Sequence, residues 1–151
     1  MTESKAKFPD LVRVFVYGTL KPGEANYDKY CASKAVNAQR SVAMGELFSL
    51  PMGFPAMTIG EYFVHGYLLV FADPRILDVL DELEDYQPTR QISENLYLRQ
   101  DLEIYNLQSL SLGCAWVYLM TPERVSYLKG VPQPDGWWSG CGLTAKLRNV
   151  I

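Results

Sequence analysis

Five segments of this chain are rich in β-branched and aromatic residues and only one reads as a long helix, so most of the backbone must pair in a sheet. The strand-like segments are LVRVFVY (11–17), RSVAMGELFSL (40–50), EYFVHGYLLVF (61–71), NLYLRQDLEIYN (95–106) and LGCAWVYLM (112–120). The last two are joined by LQSLS as a hairpin. The long helix is ADPRILDVLDELEDY, spanning Pro74 to Tyr86, with Asp73 as its cap and Pro74 in the first turn. A short helix capped by Asn26 is expected over YDKYCASKA, and another after Thr121-Pro122. PMGFPAMTIG (51–60), with two prolines and two glycines, reads as a structured loop, and VPQPDGWWSGCG (131–142) as an irregular tail over the surface. Regular strand–helix alternation is absent. The pattern predicts an α+β fold, one domain over 1–151 with a mixed barrel-like sheet and a few helices, residues 1–10 forming a flexible extension.

The charge balance excludes several partners. Fourteen basic residues against 17 acidic give a net charge of −3, with no basic stripe to neutralise phosphates, so no nucleic-acid partner is expected. No apolar run approaches the roughly 20 residues that span a bilayer, and MTESKAKFPD lacks the apolar middle of a secretory signal. No membrane partner and a cytoplasmic location follow as expectations. The single histidine, His65, excludes a multi-histidine metal site and reads as a packed or edge residue of its strand. Cys31, Cys114 and Cys141 are widely spaced and odd in number, which argues against a disulfide framework or a CxxC zinc site and for small buried hydrophobes. The oligomeric state is left open.

The helix carries the most informative residue. With Ile76 at zero and about 100° per residue, Leu77, Leu80, Val79 and Leu83 define one apolar arc. Asp78, Asp81, Glu82 and Asp85 fall on the opposite side, between about 140° and 240°. Glu84, at about 80°, lies inside the apolar arc. A carboxylate drawn out of water has a raised pKa and is a natural general base. The alternative is that Glu84, in the last turn, has already left the core.

The loop YGTLKPG follows the first strand directly. Its glycine lets the chain turn tightly or lets another group approach, and its consecutive N–H groups can form a concave anion site beside the Thr19 hydroxyl. It has neither the GxxxxGK[ST] nor the GxGxxG spacing. By these residues alone an ordinary turn and a binding loop both stand.

Taken together, VFVYGTLKPG, LDELEDYQP, the YLR strand start and AWVYLM resemble the gamma-glutamylcyclotransferase-like family, from Val14 into the tail. The resemblance implies a small fold with a barrel-like sheet and a cavity lined by the loop and the glutamate. It also implies release of 5-oxoproline from a small gamma-glutamyl compound without a metal or organic cofactor. Tyr17, Gly18, Thr19 and Leu20 would hold the glutamyl moiety through backbone N–H groups, Glu84 would be the catalytic acid/base, and Tyr118 would line the cavity. Two departures stand out: Asp85 where relatives often carry glycine, where it should mildly disfavour ionisation of Glu84, and a tail only loosely like theirs. A non-catalytic binder of a small carboxylate metabolite in the same cavity is the alternative function, and a pocketless interaction domain a third reading.

Overall fold

The computed structural model describes residues 11–140. The expectation for residues 1–10, and Cys141, lie outside the described residues. In chain order the elements are β1 (Val12–Val16), α1 (Tyr27–Tyr30), β2 (Ala35–Ser49), β3 (Pro55–Phe71), α2 (Ile76–Leu83), a 3-10 turn (Ile92–Glu94), β4 (Leu98–Tyr105), β5 (Ser111–Leu119), α3 (Pro122–Tyr127) and β6 (Val131–Pro132). The strand order is β3-β1-β5-β4-β2-β6, and β2 also pairs with β3, so five strands close into a ring with β6 appended to β2. All pairings are antiparallel except that of β1 with β5, where Val14 faces Trp116. This is the mixed α+β architecture with a barrel-like sheet that the segment pattern predicts.

β1 lies between β3 and β5 and is buried on both faces, which is why its sequence is nearly continuous in apolar residues rather than alternating. Val14 and Val16 pack with Leu69, Phe71, Ile76, Leu80 and Val125, towards the helices. Phe15 and Tyr17 pack instead with Leu47, Met57, Val64, Leu68, Ile104, Val117 and Trp138, drawn from every strand of the ring and from the tail.

Several local expectations change. PMGFPAMTIG is a turn only as far as Phe54, and β3 starts at Pro55. Proline is tolerated as the first residue of a strand, Ala56, Met57 and Thr58 are buried, and Gly60 sits at the irregularity where the β2–β3 register shifts after Gly45. The helix over YDKYCASKA is only Tyr27–Tyr30, and Asn26 does not cap it with its side chain. The long helix is shorter at both ends than the expected Pro74–Tyr86, though it matches the apolar arc from Ile76 to Leu83, and Asp73 accepts from the Arg75 N–H (3.0 Å) in the preceding turn rather than capping α2 itself. The short helix expected at Thr121-Pro122 is α3, and Thr121 caps it, accepting from the Arg124 N–H at 3.1 Å. The tail is not simply surface chain: β6 pairs with β2, and Trp138 is buried. Cys31 is buried, with its thiol pushed up to about 11 by burial, whereas Cys114 is exposed on β5, contrary to the expectation for all three cysteines.

Candidate functional site

α2 ends on Leu83, and Glu84 follows as its C-cap with its N–H still bonded to Leu80 O (2.9 Å). The helical phase therefore persists to Glu84 and keeps its side chain on the apolar arc. Beyond it the chain reverses through Asp85 at φ 54°, and Tyr86 N–H reaches back to Asp81 O (2.9 Å). A left-handed residue at this helix end is the position that favours glycine, and aspartate is among the few other residues that tolerate it. That accounts for the glycine expected of relatives and for how Asp85 replaces it. Its carboxylate turns outward to Arg90 (3.0 Å).

Glu84 lines a cavity of about 290 Å³ together with Phe15, Val16, Tyr17, Gly18, Thr19 and Leu20. Phe54, Pro55, Leu83, Leu96, Tyr97, Tyr118 and Asn26 complete the wall. The structure thus brings all six residues singled out in the sequence to one cavity: Tyr17, Gly18, Thr19, Leu20, Glu84 and Tyr118. Burial pushes the Glu84 carboxyl up to about 7. Burial is the cause of the shift.

The loop is a tight turn. Lys21 N–H bonds Gly18 O (3.0 Å) and Asn26 N–H bonds Thr19 O (2.9 Å), leaving the N–H groups of Gly18, Thr19 and Leu20 unused by the turn itself. The Asn26 side chain donates to Thr19 Oγ1 (3.0 Å), so the residue expected to cap a helix instead fixes the loop. Gly18 has no room for a side chain: a Cβ would lie 2.7 Å from Pro55 Cγ. That proline is anchored in turn, because Tyr97 OH donates to its carbonyl at 2.6 Å. Gly18→Ala is expected to cost about 1–3 kcal/mol, as overpacking of a closed site does, measured by urea unfolding. Unchanged stability would mean that the loop yields freely.

The three cavity tyrosines have their hydroxyls committed elsewhere. Tyr17 OH donates to Tyr118 O (2.5 Å) and accepts from Met57 N–H (3.2 Å). Tyr118 OH donates to Asp81 Oδ1 (2.7 Å). Burial raises the phenols of Tyr17, Tyr97 and Tyr118, with the neighbouring Glu84 carboxylate adding to each. They stay protonated near neutrality, so Glu84 is the cavity group whose charge changes there.

Asp81, assigned by the helical wheel to the solvent face, is only 13% exposed at its side chain and pairs with Arg99 of β4 at 2.9 Å. The Arg99 guanidinium lies 4.6 Å from the Trp116 ring centroid. On the wheel Asp81 stands at about 140°, the edge of the acidic arc nearest the core, and strands supply its partners. Tyr97 and Arg99 belong to the YLR strand start, whose residues alone signal no role for either. His65 is half-buried in β3 and does not line the cavity. Among the described residues no three His, Cys, Asp or Glu side chains cluster as a metal site, and no helix is long and apolar enough to cross a membrane.

A closed mixed sheet that sets one buried carboxyl opposite a glycine turn defines a class of small-molecule enzyme site. The family model described as gamma-glutamyl cyclotransferase, AIG2-like, matches residues 14–140. The chain belongs to this gamma-glutamyl cyclotransferase family. The gamma-L-glutamyl-butirosin B gamma-glutamyl cyclotransferase of Niallia circulans is 29% identical over 116 residues, 77% of this chain and 70% of that protein. An AIG2-like protein from Mus musculus superposes with a TM-score of 0.59 at 24% identity, covering 76% of this chain and 82% of the other. YkqA from Bacillus subtilis gives a TM-score of 0.61 at 21% identity, over 90% of this chain and 42% of that one. At these identities the two structures speak for the fold.

Proposed function

We propose that this protein releases 5-oxoproline from a gamma-glutamyl compound, with Glu84 as general acid/base. The observation that carries the reading is a carboxyl with a pKa near 7 facing, across one cavity, a turn whose N–H groups are not used internally. In this reading the N–H groups of Gly18, Thr19 and Leu20 hold the glutamyl carboxylate, and the rings of Tyr17, Tyr97 and Tyr118 shape the cavity around the carbon chain. Ionised Glu84 takes a proton from the α-ammonium, and the freed nitrogen attacks its own γ-carbonyl carbon. The ring nitrogen releases its second proton to water, and the tetrahedral centre collapses as the bond to the leaving nitrogen breaks and Glu84 returns its proton to that nitrogen. One C–N bond forms and one breaks, giving 5-oxoproline and a free amine. A group titrating near the working pH can both accept and return the proton. Because attack is intramolecular, holding the substrate folded supplies much of the acceleration.

Incubation with a panel of gamma-glutamyl compounds, with 5-oxoproline measured, tests the assignment. The ionised carboxylate is the active form, so kcat/KM should rise with pH through an inflection near 7, well above that of an ordinary glutamate. Thermal stabilisation by these compounds without any turnover would make the protein a binder and overturn the assignment.

A further inference from the structure

We infer that Lys21 is a positioning residue for the loop and that the C-terminal segment around Trp137 and Trp138 acts on the site through it. This rests on the reading of Gly18–Leu20 as the substrate-holding turn. Lys21 is the next residue, its backbone N–H closes that turn onto Gly18 O, and its side chain is 1% exposed. Burying an ammonium is costly unless it is paired. Here the ammonium donates to the Trp138 carbonyl, pairs with Glu24 Oε2 at 3.4 Å, and lies 4.4 Å from the Trp137 ring centroid. The other Glu24 oxygen accepts from Gly140 N–H at 2.9 Å. One lysine thereby ties the first loop of the chain to residues more than a hundred positions later.

The tail is itself held to the ring rather than hanging from the lysine. Gln133 N–H donates to Leu47 O (2.8 Å), His65 N–H to Gly136 O (2.8 Å), and Trp138 is packed with Phe15 and Tyr17. It offers Lys21 a fixed anchorage outside the cavity lining. Neither Lys21 nor Trp137 lines the cavity, so neither touches substrate directly, and the backbone of the turn is the covalent route from Lys21 to the site.

Lys21→Met keeps the apolar stem and removes the ammonium. It is expected to raise KM about tenfold and change kcat by less than about threefold, the signature of lost substrate holding. Amide relaxation should show order parameters at Gly18–Leu20 falling from about 0.85 towards 0.6 while the strands stay rigid. Trp137→Leu, which removes the ring over the ammonium without emptying the core, should shift KM in the same direction. The double variant should be no worse than Lys21→Met alone. If Lys21→Met fails to fold, Trp137→Leu carries both measurements. Folded variants with unchanged KM and a rigid loop would overturn the inference. If the wild type turns over no gamma-glutamyl compound, the proposed activity fails separately, and the relaxation data alone decide the positioning role.

Discussion

Glu84→Gln is expected to reduce 5-oxoproline release by at least about 10²–10⁴-fold, the usual contribution of a positioned acid/base, while stabilising the fold at alkaline pH. The second effect follows from the first group's environment. The carboxyl titrates near 7 in the folded protein against a reference of 4.5, so the native state holds its proton more tightly than the unfolded chain does. Between those values stability falls as pH rises, and above about 7 the full penalty applies. At about 1.4 kcal/mol per unit, and allowing for an unpaired amide left in the cavity, the glutamine variant should gain about 2–3 kcal/mol at pH 8. At pH 4, where both states are protonated, the two proteins should differ little. Urea unfolding at the two pH values reads the stability and product analysis the activity. Full turnover would remove Glu84 from the mechanism, and equal stability at pH 8 would mean that its carboxyl is not desolvated.

Asp81→Ala is the largest expected loss of stability. Its carboxylate receives Arg99 Nε (2.9 Å), Arg99 Nη2 (3.2 Å) and Tyr118 OH (2.7 Å), so one side chain fastens α2 to both β4 and β5. Removing one partner of a buried ion pair costs about 3–5 kcal/mol, and the 13–16% exposure of these side chains puts the expectation at about 2–3 kcal/mol. Much of that is the penalty of an uncompensated guanidinium held against Trp116. Arg99→Met in the same background should therefore recover part of the loss, and a double-mutant cycle measures it. Strict additivity would show that the pair is not coupled. Tyr118, freed at its hydroxyl, should also lose its fixed place in the cavity wall.

What the sequence makes legible follows from the range of the forces involved. β1 and α2 are recognisable because burial on both faces and burial on one face leave different periodicities in the chain. Helical geometry gives the side that Glu84 faces, and the bond of its N–H to Leu80 O keeps it in the core rather than beyond it. Asp81 defeats the same wheel because a residue at the edge of an arc is claimed by whatever element arrives beside it, here β4 and β5. The start of β3 is hidden because proline and glycine are read as breakers, whereas Pro55 opens the strand and Gly60 sits at a register shift. Lys21 looks like an ordinary loop residue and Asn26 like a helix cap. Their partners are a distant carbonyl and a neighbouring hydroxyl, and no local pattern announces either.

The parallel pairing of β1 with β5 also has a consequence for the order in which the molecule is made. β1 is made well before β5, so Val14 waits for Trp116, and Tyr17 OH waits for a carbonyl 101 residues further on. Closing so long a span is entropically expensive and slow compared with forming the β2–β3 hairpin. The growing chain therefore carries the turn that borders the cavity long before the strand that gives it shape. A nascent chain stopped before β5 would hold Glu84 and the turn but lack Tyr118, whose ring completes the wall and whose carbonyl fixes Tyr17.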